Sequence, residues 1–242
     1  MKRKKDTKIY ILYYNNYGEI IIMKKIINKW RNILIYLLGM NIMALGIVLN
    51  TRTDLGVAAI SSVPFAYSIL LDMSLGLTTF ILHVIFILIQ CALLRKFDYK
   101  IFLQIPMAIL VSIFIEIYDI LLPHTKLIFG IAFLTLLLSN SITGLGVYLM
   151  TEADLILDPG NGIVETLCQY FHKSFSYLRI RFDILLVIFT CLSGLIIKGK
   201  IVGIGLGTIV SAYLIGKMVG VSEKFLKNKT TKFLNSQNKI TN

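Results

Sequence analysis

Cysteine, histidine, proline and charge are all scarce in this chain. Its three cysteines, Cys91, Cys168 and Cys191, form no CxxC pair and are odd in number. That argues against a disulfide framework and leaves them as small hydrophobic side chains in apolar surroundings. The three histidines, His83, His124 and His172, include no HExxH pair, so no metal site is expected. No phosphate-binding glycine loop is present, which argues against ATP-driven work by this chain alone. No Ser/His/Asp or Cys/His set is grouped, so neither an enzyme nor a cofactor is expected. Charged residues make up 16% of the chain, hydrophobic residues 56%, and the mean hydropathy is +0.77. A soluble domain of 242 residues has too little interior to hide that much apolar surface.

The net charge of +12 suggests nucleic acid until it is mapped. Residues 1–31 hold nine Lys/Arg and two acids, and residues 217–242 hold six and one. The 185 residues between them carry ten of each sign. The excess therefore sits in two basic tails, 1–31 and 222–242, flanking an apolar region over 32–221. This is the positive-inside pattern, with added attraction to anionic lipid heads. Nucleic-acid binding would need those groups on a folded face among stacking aromatics, so no nucleic-acid partner is expected; the lipid bilayer is. Residues 1–22 are polar, aromatic and basic and do not read as a cleavable signal. Met23-Lys24-Lys25 also reads as a natural start, which leaves Met1 and Met23 both open.

The chain matches itself at an offset of 100 residues. Leu45-Gly46-x-x-Leu49-x-Thr51-x-x-Asp54-Leu55 returns as Leu145-Gly146-x-x-Leu149-x-Thr151-x-x-Asp154-Leu155. Ser74 meets Ser174, Cys91 meets Cys191, and Lys100-Ile101 meets Lys200-Ile201. Between Leu34 and Ile101, 14 of 68 positions are identical to their counterparts. Two copies of one apolar unit suggest a membrane protein with its site between the copies.

Apolar runs at 33–50, 77–94, 101–122, 127–150, 178–197 and 201–221 are each long enough to cross a ~30 Å hydrocarbon layer. Segments 57–72 and 157–172 differ: the first is short and broken by Pro64, and the second carries Asp158, Asn161, Glu165, Gln169 and His172. If all eight runs cross, the copies are parallel and the basic loop at 95–100 falls outside. If 57–72 and 157–172 dip in and return, each copy has three spans, the copies are inverted, and both tails and that loop lie inside. The second arrangement violates the charge rule less, exposing only Lys198 and Lys200. The expected fold is thus an all-α polytopic membrane protein. It has two inverted repeats, about 33–122 and 127–221, each with three spans and one re-entrant or broken segment.

Candidate pathway residues are Asp54, Asp154, Asp158, Gly160, Asn161, Gly162, Glu165, Asp183 and His83. Asp54 and Asp154 end the first helix of each copy, where an N-cap for the next helix and an ion-binding carboxylate both fit. Asp158-Pro159-Gly160-Asn161-Gly162 reads as a break and helix start whose glycines permit unusual backbone angles and free amides. A surface turn with an amphipathic helix fits it as well. Arg179 and Asp183 stand i,i+4, the spacing of an ion pair. Asp183 and His83 occupy equivalent repeat positions, as a proton-coupled carrier or a helix-packing contact would need. Glu116 and Asp119 read as interfacial. Gln90, Gln104, Ser139 and Asn140 read as interhelical hydrogen-bonding groups. Gly203, Gly207 and Ser211, and likewise Gly216 and Gly220, stand four apart as a close-packing face for helices in lipid.

The chain resembles the YczE/YyaS/YitT group of bacterial integral membrane proteins over roughly residues 33–221. The resemblance rests on the motif at 45–55, Ser74-Leu75-Gly76, Arg179-x-Arg181-x-Asp183, and Lys198–Thr208. That last stretch is similar to the group's G-x-x-x-G-I-G-T segment, with Leu206 inserted. Lacking a long soluble C-terminal part, the chain is similar to the short YczE type. The resemblance implies a plasma-membrane protein and brings no assigned site residues.

The leading expectation is a secondary carrier for a small solute in the bacterial plasma membrane, multi-pass, with both termini cytoplasmic. The rival is a non-transporting membrane factor that docks or regulates an enzyme or biosynthetic assembly. A small-molecule substrate goes with the first reading, and a homo-oligomer is left open. Polar groups converging at mid-bilayer would favour the carrier; polar groups scattered at the faces would favour the docking factor.

Overall fold

The computed structural model describes residues 30–95 and 99–235. The basic tail before residue 30, the choice between Met1 and Met23, residues 96–98 of the 95–100 loop and residues 236–242 lie outside that range. Among the described residues the chain is all-helical and has no strands. The helices are α1 (Trp30–Thr51), α2 (Ala59–Leu71), α3 (Leu75–Leu94), α4 (Tyr99–Phe102), α5 (Gln104–Leu121), α6 (Phe129–Ala153), α7 (Pro159–Phe171), α8 (Phe175–Lys198) and α9 (Leu206–Asn235). Of these, α1, α3, α5, α6 and α8 are long and apolar enough to cross a membrane.

The run at 201–221, expected as a sixth span, forms differently. Residues 201–205 stay outside any helix, held by a turn at Gly203 (φ +77°). The helix starts at Leu206 and continues to Asn235, through residues the charge pattern assigns to a tail. Gly203 is therefore not on a helical face with Gly207 and Ser211.

Local boundaries follow from caps. Ser74 opens α3 by accepting the Leu77 N–H at 3.3 Å, and Asp158 opens α7 with Pro159 in the first turn. Asp72, Arg95, Asp154 and His172 close the preceding helices in the left-handed region, as Gly199 closes α8. Both α2 and α7 are 13 residues long, roughly 20 Å at 1.5 Å per residue.

Packing fixes the direction of each helix. At one end, Arg31 donates to the Phe233 carbonyl (3.1 Å), Asn32 to the Ala153 carbonyl (2.8 Å) and Thr231 to Glu152 (3.1 Å). The start of α1 and the ends of α6 and α9 thus share one end of the bundle, the terminal face. At the opposite face, Arg52 reaches Asp119 and Leu122 at the end of α5, the Gly76 N–H reaches Glu116, and Lys198 reaches the Ile69 carbonyl.

Helices α1 and α6 cross antiparallel at van der Waals distance. A Cβ on Gly46 would lie 2.6 Å from the Thr143 nitrogen and 2.8 Å from the Ser139 carbonyl. One on Gly146 would lie 2.5 Å from the Met43 nitrogen and 2.6 Å from the Gly39 carbonyl. A core of Tyr36, Met40, Ala44, Val48, Val111, Ile115 and Tyr148 surrounds the α1–α5–α6 contact. A second core of Val63, Leu82, Phe86, Ile163, Val164 and Leu186 binds α2, α3, α7 and α8, with α2 packed on α8 and α3 on α7. Helix α9 packs along α6, where Gly144 admits Met218.

Candidate functional site

After α1 the chain turns at Arg52–Asp54 and runs back into the bundle without helix. Leu55 accepts the Gly207 N–H at 2.7 Å, and Val57 donates to the Gly203 carbonyl at 3.0 Å. Helix α2 then returns toward the opposite face, with Ser62 against Thr190 (3.0 Å) and Tyr67 against Ser193 (3.1 Å) on α8. Helix α7 departs toward the terminal face. The two short helices therefore begin side by side inside the bundle, where Gly160 lies under the Ile60 side chain, and point away from each other.

At this meeting point lies a cavity of about 830 Å³. Its walls are α8 from Phe175 to Ile188, α9 and its approach from Ile204 to Val219, Met43, Ile47 and Asn50 of α1, and Thr143 and Val147 of α6. Residues 57–61 and Asp158 and Asn161, at the starts of α2 and α7, complete it. Most of the surface is apolar. The polar groups gather in one chain: Asp158 accepts the Asn161 N–H at 3.1 Å and also its side-chain amide. Asn161 Oδ1 accepts from Arg179 Nη1 at 2.8 Å, and Arg179 Nε donates to Asp183 Oδ2 at 3.1 Å. Asp183 Oδ1 is buried without a hydrogen-bond partner. Helix α2 has no side-chain cap at Ala58, so its first amides border the cavity with their partial positive charge uncancelled.

Of the residues singled out in the sequence, Asp158, Asn161 and Asp183 line this cavity, together with Ser211, Gly216 and Arg179. The others are placed elsewhere. Asp54 and Asp154 are exposed and left-handed (φ 54° and 47°), and Asp154 closes α6. Neither caps the next helix, which starts after Ala58 in one case and Asp158 in the other, and neither lines the cavity. Glu165 is half-buried on α7 and also outside the lining. His83 is on α3 and outside the lining, its Nδ1 buried without a partner.

Gly160 and Gly162 have ordinary helical backbone. They are needed for close approach, Gly162 because a Cβ there would lie 2.6 Å from Gln104 Nε2. Gly207 packs against the Leu55–Gly56 backbone, whereas a Cβ on Gly216 or Gly220 would meet nothing within 4 Å among the described residues. Gln90 and Gln104 exchange two hydrogen bonds (2.9 and 3.0 Å). Asn140 accepts from Asn50 at 3.0 Å, but Ser139 bonds only within its own helix, to Leu136.

Asn50 is the residue that the sequence pattern passed over. It is 4% exposed, donates to Asn140 and to Ser211 (3.2 Å), and keeps Oδ1 unpartnered at the cavity wall. The available signal was its chemistry: an amide inside an apolar span is costly and marks a site by default.

The profile of DUF6198, described as a family of unknown function, matches residues 30–224. No curated protein and no solved structure matches the chain. Five helices fit to cross a membrane, around a cavity at the meeting point of two half-length ones, are thus the architecture of a chain that belongs to the DUF6198 family.

Proposed function

We propose that the protein is a secondary carrier for a small solute in the bacterial plasma membrane, built from two inverted copies at about 33–122 and 127–221. The convergence of the α2 and α7 starts on one central cavity carries this reading. Interrupted segments at matching places in two halves are where carriers bind their cargo, with helix starts and unpaired polar groups turned toward it. The reciprocal, antiparallel contact of Gly46 with Ser139 and Thr143, and of Gly146 with Gly39 and Met43, supports an inverted relation. So do helix bounds of Ala59–Leu71 and Pro159–Phe171 at the same 100-residue offset. In this arrangement α9 serves as the sixth span, since it lies along α6, and α2 and α7 are re-entrant. The basic flanks put the terminal face in the cytoplasm. The motif likeness to the YczE/YyaS/YitT group belongs to the same reading. Asp158, Asn161, Arg179 and Asp183 converge rather than scatter at the faces, which favours the carrier over a docking factor.

The test begins with a comparison of metabolites between cells with and without the protein, followed by uptake of the accumulated or depleted solute into vesicles holding purified protein. Asp183→Asn keeps the shape and removes the charge beside Arg179. Uptake should fall about tenfold or more, the scale of one lost charged hydrogen bond, with protein levels unchanged. Glu165→Gln, outside the cavity, should transport normally. Equal uptake by the Asp183 variant, or no solute difference at all, would count against the carrier.

A further inference from the structure

The two halves differ at one interface. Helix α3 packs tightly along α5, whereas their counterparts α8 and α9 stand apart and the cavity opens between them. The difference is visible residue by residue at the 100-residue offset. Leu75 is 3% exposed and Phe175 41%. Gly76 is buried and its amide donates to Glu116 Oε2 at 3.0 Å, while Ser176 is exposed and Gly216, at the position of Glu116, has nothing within 4 Å.

The closed interface also holds polar atoms that closure does not satisfy. Ser112 Oγ is buried without a hydrogen-bond partner, and its counterpart Ala212 lines the open cavity. His83 Nδ1, at helical spacing from Phe80 and Ile87, which pack against Ile105 and Ala108 of α5, is likewise unpartnered, and its counterpart Asp183 lines the cavity. Buried polar groups without partners cost free energy, and water admitted between α3 and α5 would relieve both.

We infer that the α3–α5 contact is a gate on the opposite face, held shut by Glu116 on the Gly76 amide. Its opening, coupled to closure of α8 on α9, exposes a mirror cavity lined by His83 and Ser112. This rests on the carrier reading and specifies how its site would change sides. The lining of the open cavity extends to Phe175 at the start of α8, on the terminal side. Toward the opposite face it is stopped where Leu55 and Val57 bond to Gly207 and Gly203. Swapping the packed and parted pairs moves the opening from one face to the other while the α1–α6 crossing stays fixed.

The test needs no solute. In protein whose Cys91, Cys168 and Cys191 are replaced by serine, single cysteines at Ser112→Cys and Ala212→Cys report the two openings to a membrane-impermeant thiol reagent applied from either side of oriented vesicles. Glu116→Ala removes the latch, and Gly76→Ala wedges it, since the added Cβ would lie 2.6 Å from Glu116 Oε2 and from the Ser112 carbonyl. Each should raise labelling at position 112 from the opposite face several-fold, up to about tenfold, and lower labelling at 212 from the terminal face. Glu116→Gln keeps an acceptor oxygen and should stay near the parent. Unchanged labelling at 112, or a rise at both positions together, would overturn the gate. Reciprocal labelling without any transported solute would leave the gate standing and remove the carrier.

Discussion

Arg52→Ala should be among the most damaging single changes in the chain, lowering bundle stability by about 3 kcal/mol, the usual cost of stripping one partner from a buried ion pair. The Arg52 side chain is 6% exposed and meets Asp119 Oδ1 at 2.8 Å. Its guanidinium also donates to the Asp119 and Leu122 carbonyls (2.8 and 3.0 Å), which α5 leaves unpaired at its C-terminus, and to Thr51 Oγ1 (3.1 Å). Alanine therefore leaves a carboxylate only 21% exposed, with the His124 ring 3.8 Å away, together with orphaned carbonyls. Denaturant titration in detergent would read the loss. Arg52→Met with Asp119→Leu should recover much of it, because an apolar pair of similar volume avoids the desolvation cost. Stability of Arg52→Ala within 0.5 kcal/mol of the parent, the scatter of neutral surface changes, would mean that the pair is solvated.

Arg52 and Asp119 also mark the limit of what could be read in advance. Helix positions were legible because they are local. Ser74 and Asp158-Pro159 mark the starts of α3 and α7, and the apolar runs overlap the helices, although the run at 201–221 gives neither the start nor the length of α9. Partner choice was not legible. Asp119 was read as interfacial because nothing in its own neighbourhood points to an arginine 67 positions earlier. Asp54 and Asp154 were read as possible N-caps or ion ligands because an aspartate between helices fits either end. Their place after the 33–50 and 127–150 runs was legible; the backbone adds that both are left-handed (φ 54° and 47°), a conformation that short polar side chains tolerate, and that Asp154 is the C-cap of α6. Glu165 followed a strong helix start, but which face of α7 meets the cavity depends on α3 and α8, which no periodicity within thirteen residues encodes. Gly203 matched the four-residue spacing of a helix face and instead took φ +77° in a turn, where glycine is used for freedom rather than size. Asp158, Asn161 and Asp183 were found because each is polar where polarity is costly. By the same logic Asn50 was findable.

Gly46→Leu should destabilise the fold by about 3 kcal/mol or more, at the upper end of overpacking costs, because backbone cannot yield as a side chain can. Its Cβ would meet Thr143 Oγ1 as well as the Thr143 nitrogen at 2.6 Å and the Ser139 carbonyl at 2.8 Å, so α1 and α6 would have to separate along the crossing. Separation would also strain Asn50 on Asn140 and Asn32 on the Ala153 carbonyl, which bridge the same two helices at either end. Gly146→Leu meets Met43 and Gly39 in the reciprocal way, and if the crossing lies on a two-fold axis the two substitutions should do similar damage. Gly216→Leu is the control: with nothing within 4 Å of its Cβ, it should leave stability unchanged while filling part of the cavity. Unfolding curves of the three variants in one detergent would decide between two kinds of contact. Matched losses for Gly46 and Gly146 fit a symmetric hinge about which halves can rock. A large loss at one and a small loss at the other would make the crossing an ordinary helix contact and deprive the inverted reading of its best physical support.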